Sequence, residues 1–162
     1  MAIEIERKFL LLNSDWRKEI YDQQKISQGY LSSNPDRTVR IRISDQKGII
    51  TIKGKSHGTS RAEYEYEIPL KDAEELIGLC EKPTIEKTRY LVSYESKLWE
   101  IDEFEGDNNG LIVAEVELEN ESEKPMLPSW IGKEVSSEKR FFNASLIKYP
   151  YSEWTDEERQ PC

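Results

Sequence analysis

Like-charged residues spaced two apart carry the chemistry that this sequence could do. Glu4 and Glu6, Arg40 and Arg42, Lys87 and Arg89, and Glu115 and Glu117 stand in this relation, as do Glu63, Glu65 and Glu67. In an extended strand, residues i and i+2 share a face, with side chains roughly 6–7 Å apart. Each set is therefore a patch of one sign. Clustered Arg and Lys suit a multiply charged anion, because the guanidinium fork matches phosphate oxygens. Clustered carboxylates suit hard cations such as Mg2+ or Mn2+, which take oxygen ligands. Together they describe a site for a metal–polyphosphate complex. There the protein mostly positions groups and neutralises charge, and metals can activate the attacking water. No nucleophilic Ser or Cys, and no His, is required.

The elements that must hold these patches follow from period-two alternation. Ile3 to Phe9 alternates mostly apolar with charged residues, and Val39 to Ile43 does so with arginines. Ile50 to Lys53 follows Gly48, so these runs predict a hairpin turning at that glycine. Further strands are predicted at Glu63–Ile68, Glu86–Ser93, Lys97–Phe104 and Leu111–Glu119, the last two joined by a Gly106–Gly110 turn. Helical spacing predicts one helix capped by Ser14 and running to about Gln24, and another from Asp72 to Glu81, ended by Pro83. A short third helix is predicted over Pro128–Val135, and Ser137–Lys148 has no clear type. From Tyr149 the polar chain reads as a loose tail.

Two architectures accommodate the charge sorting. In one, the patches are solvated outer faces of an ordinary barrel or sandwich. Such faces usually mix signs, because like charges side by side repel. In the other, a closed barrel carries its charges inside and its apolar faces outside, under the helices. Barrels of about eight strands can enclose a small ligand. Interior charges must then be paired, hydrated or occupied by ions.

Composition narrows the field. The 162 residues suit one domain. A net charge of −9 speaks against a nucleic-acid binder, whose footprint is basic. Two cysteines, Cys80 and Cys162, and the single His57 are too few for a Cys/His zinc site. Cys80 reads as a half-buried thiol, Cys162 as a tail thiol and His57 as an exposed loop residue. No apolar run is long enough to cross a bilayer, and the charged start lacks an export signal, so the cytoplasm is expected. Gly54-Lys55-Ser56 is no phosphate-binding P-loop, since position 49 is Ile49 and no helix pattern follows.

Glu4-x-Glu6-x-Lys8 in the opening strand resembles the ExExK signature of the CYTH superfamily, the triphosphate tunnel metalloenzymes. The order of later segments agrees: Arg40-Ile41-Arg42, Ile52-Lys53-Gly54-Lys55, the Glu63/Glu65/Glu67 strand, Lys87-Thr88-Arg89-Tyr90, Asp102, Glu115-Val116-Glu117 and Lys139-Arg140-Phe141-Phe142-Asn143. The resemblance implies a mainly β (α+β) tunnel domain over residues 1–148, with 149–162 as a C-terminal tail. Its fold would be an eight-stranded antiparallel barrel with helices outside and a closing segment near the C-terminus.

By the same resemblance, Glu4, Glu6, Glu115 and Glu117 would be the catalytic metal ligands, with Asp102, Glu63 and Glu65 assisting. Lys8, Arg40, Arg42, Lys53, Lys87, Arg89, Lys139 and Arg140 would bind the triphosphate. Glu67 and Lys55, at strand ends, fit a solvated role equally well. The implied activity is Mg2+- or Mn2+-dependent hydrolysis of tripolyphosphate or of a nucleoside or organic triphosphate. Thiamine triphosphatase is a variant of that activity. A class IV adenylate cyclase, making cyclic AMP and pyrophosphate from ATP, is the alternative, although cyclases carry a longer stretch before the glutamates. A non-catalytic polyphosphate-binding module would need only bases. The implied partner is a small triphosphate, with no nucleic acid or membrane, and the resemblance leaves the oligomeric state open. Loops at Ser32–Asp36 and Ser56–Arg61 would set specificity.

Overall fold

The computed structural model describes residues 3–160, so Cys162 lies outside the described residues. Strands β1 (Ile3–Leu11), β2 (Asp22–Ser32), β3 (Arg37–Ser44), β4 (Lys47–Gly54) and β5 (Ser60–Ile68) precede helix α1 (Leu70–Leu79). Then come β6 (Ile85–Tyr94), β7 (Lys97–Phe104), β8 (Ile112–Glu117), β9 (Ile131–Glu134), α2 (Asn143–Lys148) and α3 (Asp156–Arg159). The sheet order is β5-β4-β3-β2-β6-β7-β8-β1, all antiparallel. Pairing of Ile3–Ile5 with Ser60–Ala62 joins β1 to β5 and closes an eight-stranded barrel. β9 adds to the far end of β1.

The barrel is inside out. Apolar residues of β3 and β4 face outward onto α1, where Ile41, Ile43 and Ile50 meet Ala73, Leu76 and Ile77. On the β1, β7 and β8 side the cover is built from Phe9, Trp16, Trp99 and Trp130. At one end the inward side turns apolar as well. Leu10, Ile85, Phe104 and Val113 pack there with Phe141, Leu146 and Ile147 of the C-terminal segment. This cluster plugs the barrel, so the charged interior is a tunnel with a floor.

Two-residue turns set the register of two hairpins. Asp45 and Gln46, and likewise Glu95 and Ser96, all have positive φ, the geometry that matches strand twist. The β3–β4 turn therefore precedes Gly48, which lies within β4. A Cβ there would come 2.5 Å from the Ala73 Cβ, so Gly48 serves close packing of α1 rather than the turn.

Other expectations need correction. The region after Ser14 forms only a 3-10 turn, Asp15–Glu19, without a side-chain cap, and Trp16 is buried against Tyr90. Asp22–Gln24 instead opens β2. That strand lacks apolar alternation because Gln24 faces the cavity and Gln28 hydrogen-bonds within the tunnel. Pro128–Val135 is not helical: Ile131–Glu134 is β9, and Gly132 lets it lie against the Leu10 carbonyl. The untyped segment resolves into a 3-10 turn at Lys139–Phe141 followed by α2. The tail is not loose. Tyr151–Glu153 and α3 fold onto the plugged end, α3 has a capping box from Thr155 to Glu158, and Trp154 is buried. Cys80 is buried, not half-buried, under α1.

Candidate active site

Inside the barrel lies a cavity of about 480 Å3. Strand parity puts the charges there: Glu4, Glu6 and Lys8 are the inward residues of β1, and Arg40 and Arg42 those of β3. Glu63 and Glu65 of β5, Lys87 and Arg89 of β6, and Glu115 and Glu117 of β8 also line it. Lys53 of β4 and Lys139 complete the predicted residues that the fold brings together.

The basic wall is ordered by its hydrogen bonds. Lys87 Nζ donates to Asp102 at 2.7 Å and to Asn143 at 2.9 Å. Arg89 donates to both Asp102 oxygens, at 2.8 and 2.9 Å, and to Glu100 at 3.0 Å. Arg42 Nε donates to Gln28 Oε1, a neutral partner, at 2.9 Å. Burial, then the neighbouring Arg40 and Arg89, push the Arg42 guanidinium down to about 9. Arg40 donates to Thr51 Oγ1 at 3.1 Å, while its Nε is buried without a partner. Cations packed this way, some with unused donors, need an anion. At the floor, Lys8 Nζ donates to the Phe141 carbonyl at 3.1 Å.

The acidic wall is crowded. Glu6 stands opposite Glu117 across the β1–β8 pair, and Lys8 opposite Glu115. Burial, then Glu115 and Glu4, raise the Glu6 carboxyl well above its ordinary range. Burial and a hydrogen bond with Glu4 push Glu63 up to about 7. Glu117 is raised too, by burial and by the charges of Glu4 and Glu100. Two carboxyls go the other way. Burial disfavours the Glu115 carboxylate, but Lys8 and Arg89 hold it down to about 2. Glu4 is lowered despite burial because Lys53 Nζ sits 2.8 and 3.1 Å from its oxygens.

Donor chemistry on this wall fits a hard divalent cation. Among the described residues no three His, Cys, Asp or Glu form a ready coordination sphere. The carboxylates meet in twos, Glu4 with Glu63 and Glu6 with Glu115. Mg2+ is ordinarily held by one or two carboxylates, with substrate phosphates and water filling the other positions. Glu6, raised first by burial and then by Glu115 and Glu4, is a carboxyl whose ionised form a cation would stabilise.

Two predicted residues lie elsewhere. Asp102 is fully buried and does not line the cavity, because Lys87 and Arg89 occupy both of its oxygens. It positions the two cations. Arg140 also leaves the cavity. Its Nε donates to the Glu158 carbonyl at 3.1 Å, and its guanidinium lies over the Phe141 and Trp154 rings. Of the two ambiguous strand-end residues, Lys55 lines the cavity and Glu67 is exposed.

Sequence reasoning missed Glu100, Gln28, Thr51 and Asn143, all placed in or beside the cavity. Glu100 stands two residues before Asp102, so the same-face rule already marks it. The other three are neutral, and no charge pattern could show them. The expected specificity loops both reach the cavity, through Ser33, Pro35 and Asp36 and through Ser56, Gly58 and Thr59.

Comparison with known proteins agrees with this geometry. The inorganic triphosphatase of Acetivibrio thermocellus is 45% identical over 157 residues, covering 96% of this chain and all of that protein. The inorganic triphosphatase of Nitrosomonas europaea is 34% identical over 147 residues, covering 88% of this chain and 95% of that one. A crystal structure of an inorganic triphosphatase superposes with a TM-score of 0.60 at 31% identity, over 89% of this chain and 97% of the other. At 18% identity, a Pyrococcus horikoshii protein shares the fold with a TM-score of 0.58, over 73% of this chain and 79% of its own. The CYTH domain pattern matches residues 2–151, and with it the chain belongs to the CYTH family.

Proposed function

We propose that this protein is a divalent-metal-dependent triphosphatase acting on inorganic tripolyphosphate. The observation that carries the reading is the sorting inside one closed tunnel. Arg40, Arg42, Lys87 and Arg89 form a wall that seeks an anion, and the carboxylate pairs of β1, β5 and β8 face the same cavity. The two inorganic triphosphatases, similar over nearly the whole chain, favour the inorganic substrate.

In this reading the four cations, with Lys8 at the floor and Lys139, grip phosphate oxygens. Asp102 and Asn143 hold Lys87 in place, and Asp102 and Glu100 orient Arg89, before substrate arrives. Glu4, Glu6, Glu115 and Glu117 would hold Mg2+ or Mn2+, with Glu63 and Glu65 assisting. Such ions neutralise phosphate charge and lower the pKa of a bound water. Lys53 is paired with Glu4, so a cation held by Glu4 would release this ammonium toward the phosphates. The setting we propose is the cytoplasm. No helix among the described residues is long and apolar enough to cross a membrane, and the free Cys80 thiol suits a reducing compartment.

The test is phosphate release from tripolyphosphate and from ATP, with Mg2+ or Mn2+, while cyclic AMP is followed in the ATP reactions. The expected outcome is rapid, metal-dependent hydrolysis of tripolyphosphate with no cyclic product. Cyclic AMP with pyrophosphate would replace this reading by a cyclase.

A further inference from the structure

Trp154 lies beyond the stretch that matches the CYTH pattern, yet it is only 4% exposed. Its ring meets Phe141 edge-on, with centroids 5.0 Å apart and an interplanar angle of 88°. It also packs on Tyr151 at 5.1 Å, and its Nε1 donates to the Tyr149 carbonyl at 2.9 Å. The segment around it is tied down on both sides. Upstream, the Tyr151 amide donates to Asn108 Oδ1 at 2.9 Å, fixing it to the β7–β8 connection. Downstream, the Thr155 hydroxyl accepts from the Glu158 amide, and the Glu158 carbonyl receives Arg140 Nε.

The other side of Phe141 reaches the cavity. Its ring is buried in the plug, and its carbonyl accepts the hydrogen bond from Lys8 Nζ. That bond, at 3.1 Å, is closer than the nearest carboxylate, Glu115, at 3.9 Å. The next ring, Phe142, lies under the same ammonium, 5.6 Å from its centroid, and lines the cavity. Phe141 closes a short 3-10 turn, its amide donating to the Glu138 carbonyl at 3.1 Å, just before α2. The same residue thus carries a ring packed in the plug and a carbonyl bonded to Lys8. Trp154 packs against that ring from the outer side.

We propose that Trp154 is a positioning residue. Through Phe141 it fixes the Lys8 ammonium at the tunnel floor, so the C-terminal segment Tyr151–Arg159 sets how tightly the triphosphate is held. The proposal rests on Lys8 being a phosphate-binding cation, as in the reading above. It assigns the last part of the chain a task in substrate binding, with no contact to substrate.

The experiment is a double-mutant cycle in the full-length chain, read as KM and kcat for tripolyphosphate with Mg2+. Trp154→Ala is expected to raise KM about tenfold while kcat stays within about twofold, a coupling typical of residues joined by direct contacts. In a Lys8→Ala background the same change should move KM by less than about twofold, because the group it acts through is gone. Trp154→Phe, which keeps an edge-on ring, should restore the wild-type KM. A ligand-free reading accompanies it: hydrogen exchange at the Phe141–Ser145 amides should accelerate in Trp154→Ala. Equal losses of affinity in both backgrounds, or an unchanged KM in folded Trp154→Ala, would overturn the proposal. If Trp154→Ala does not fold, Thr155→Ala loosens the same segment by removing its cap. A smaller rise in KM that vanishes without Lys8 supports the proposal, and faster exchange with unchanged KM defeats it. A wild type that does not turn over tripolyphosphate would remove the substrate reading, and the Lys8 role with it. The exchange measurement would still show whether Trp154 holds the floor.

Discussion

Two ion-pair groups in the same barrel behave as opposites. Lys87, Arg89 and Asp102 are buried, and both Asp102 oxygens, behind the cavity wall, have a cation within 2.7–2.9 Å. Lys53, Glu4 and Glu63 face the cavity, and one ammonium is shared between two carboxylates at 2.8 and 3.4 Å. The closed group has matched its partners and has no reason to rearrange. The open group sets two carboxylates against one lysine, and burial, then the hydrogen bond and charge of Glu4, push Glu63 up to about 7. A buried network of the first kind orients side chains. One of the second kind is a set of partners to be exchanged when ligand enters.

The comparison can be broken at its strongest point first. Asp102→Ala should cost about 3–5 kcal/mol in urea unfolding, because two buried cations lose the carboxylate they share. A variant as stable as the wild type would mean that the network is not a scaffold. Glu4→Ala and Glu117→Ala should each lower turnover by about 100-fold or more, the upper end of what losing even a supporting partner of a metal ligand does. Their melting temperatures should stay near that of the wild type, and substantial activity in both would sink the metal assignment. Arg42→Ala should weaken tripolyphosphate binding about tenfold, in line with the loss of one charge-assisted contact. The empty protein should melt no lower, and even higher, since a repelled interior charge has gone. Calorimetric binding and a melting curve on the same sample decide this.

The smallest effect is a pH dependence, and two carboxyls of the acidic wall, Glu63 and Glu115, give it opposite signs. Glu63 has its folded pKa raised, so the folded state binds the extra proton, and its contribution is complete below about 4.5. Metal-free protein should lose that stability as pH rises through 7, and Glu63→Gln should flatten the slope. Glu115 has its pKa depressed, so its contribution is present above about 4.5 and disappears as pH falls toward 2. Melting curves across this range, with and without Mg2+, separate the two limbs.

Seven of the eight barrel strands were legible because their inward and outward faces differ in charge as well as hydropathy. β2 was not, because Gln24 and Gln28 are polar without being charged, and a polar stretch after Trp16 and Ile20 resembles a helix. Same-face pairing found most of the cavity's charged lining, since parity is a local property. It could not tell a cavity ligand from a residue behind it. Asp102 shares the parity of Glu100, yet it is sealed off by Lys87 and Arg89, a fact of neighbouring strands. Arg140 was misplaced because Lys139 and Arg140 lie in a 3-10 turn, where adjacent side chains diverge and only Lys139 reaches the cavity. The tail looked unstructured because its one large anchor, Trp154, finds its partner in Phe141, which is itself visible only once the plug exists.

β1 hydrogen-bonds to β5, β8 and β9, so it precedes in the chain every strand that it pairs with. Glu6 meets its opposite, Glu117, only after more than a hundred intervening residues have been synthesised. Until then the strand carrying the ExExK pattern has an open edge, and the barrel has no inside. Closure is a long-range event of the kind that makes β-rich chains slow to fold. Alternating charges along β1 also deter the waiting edge from pairing with another chain. The same glutamates and lysine that line the tunnel thus protect the nascent protein before there is a tunnel to line.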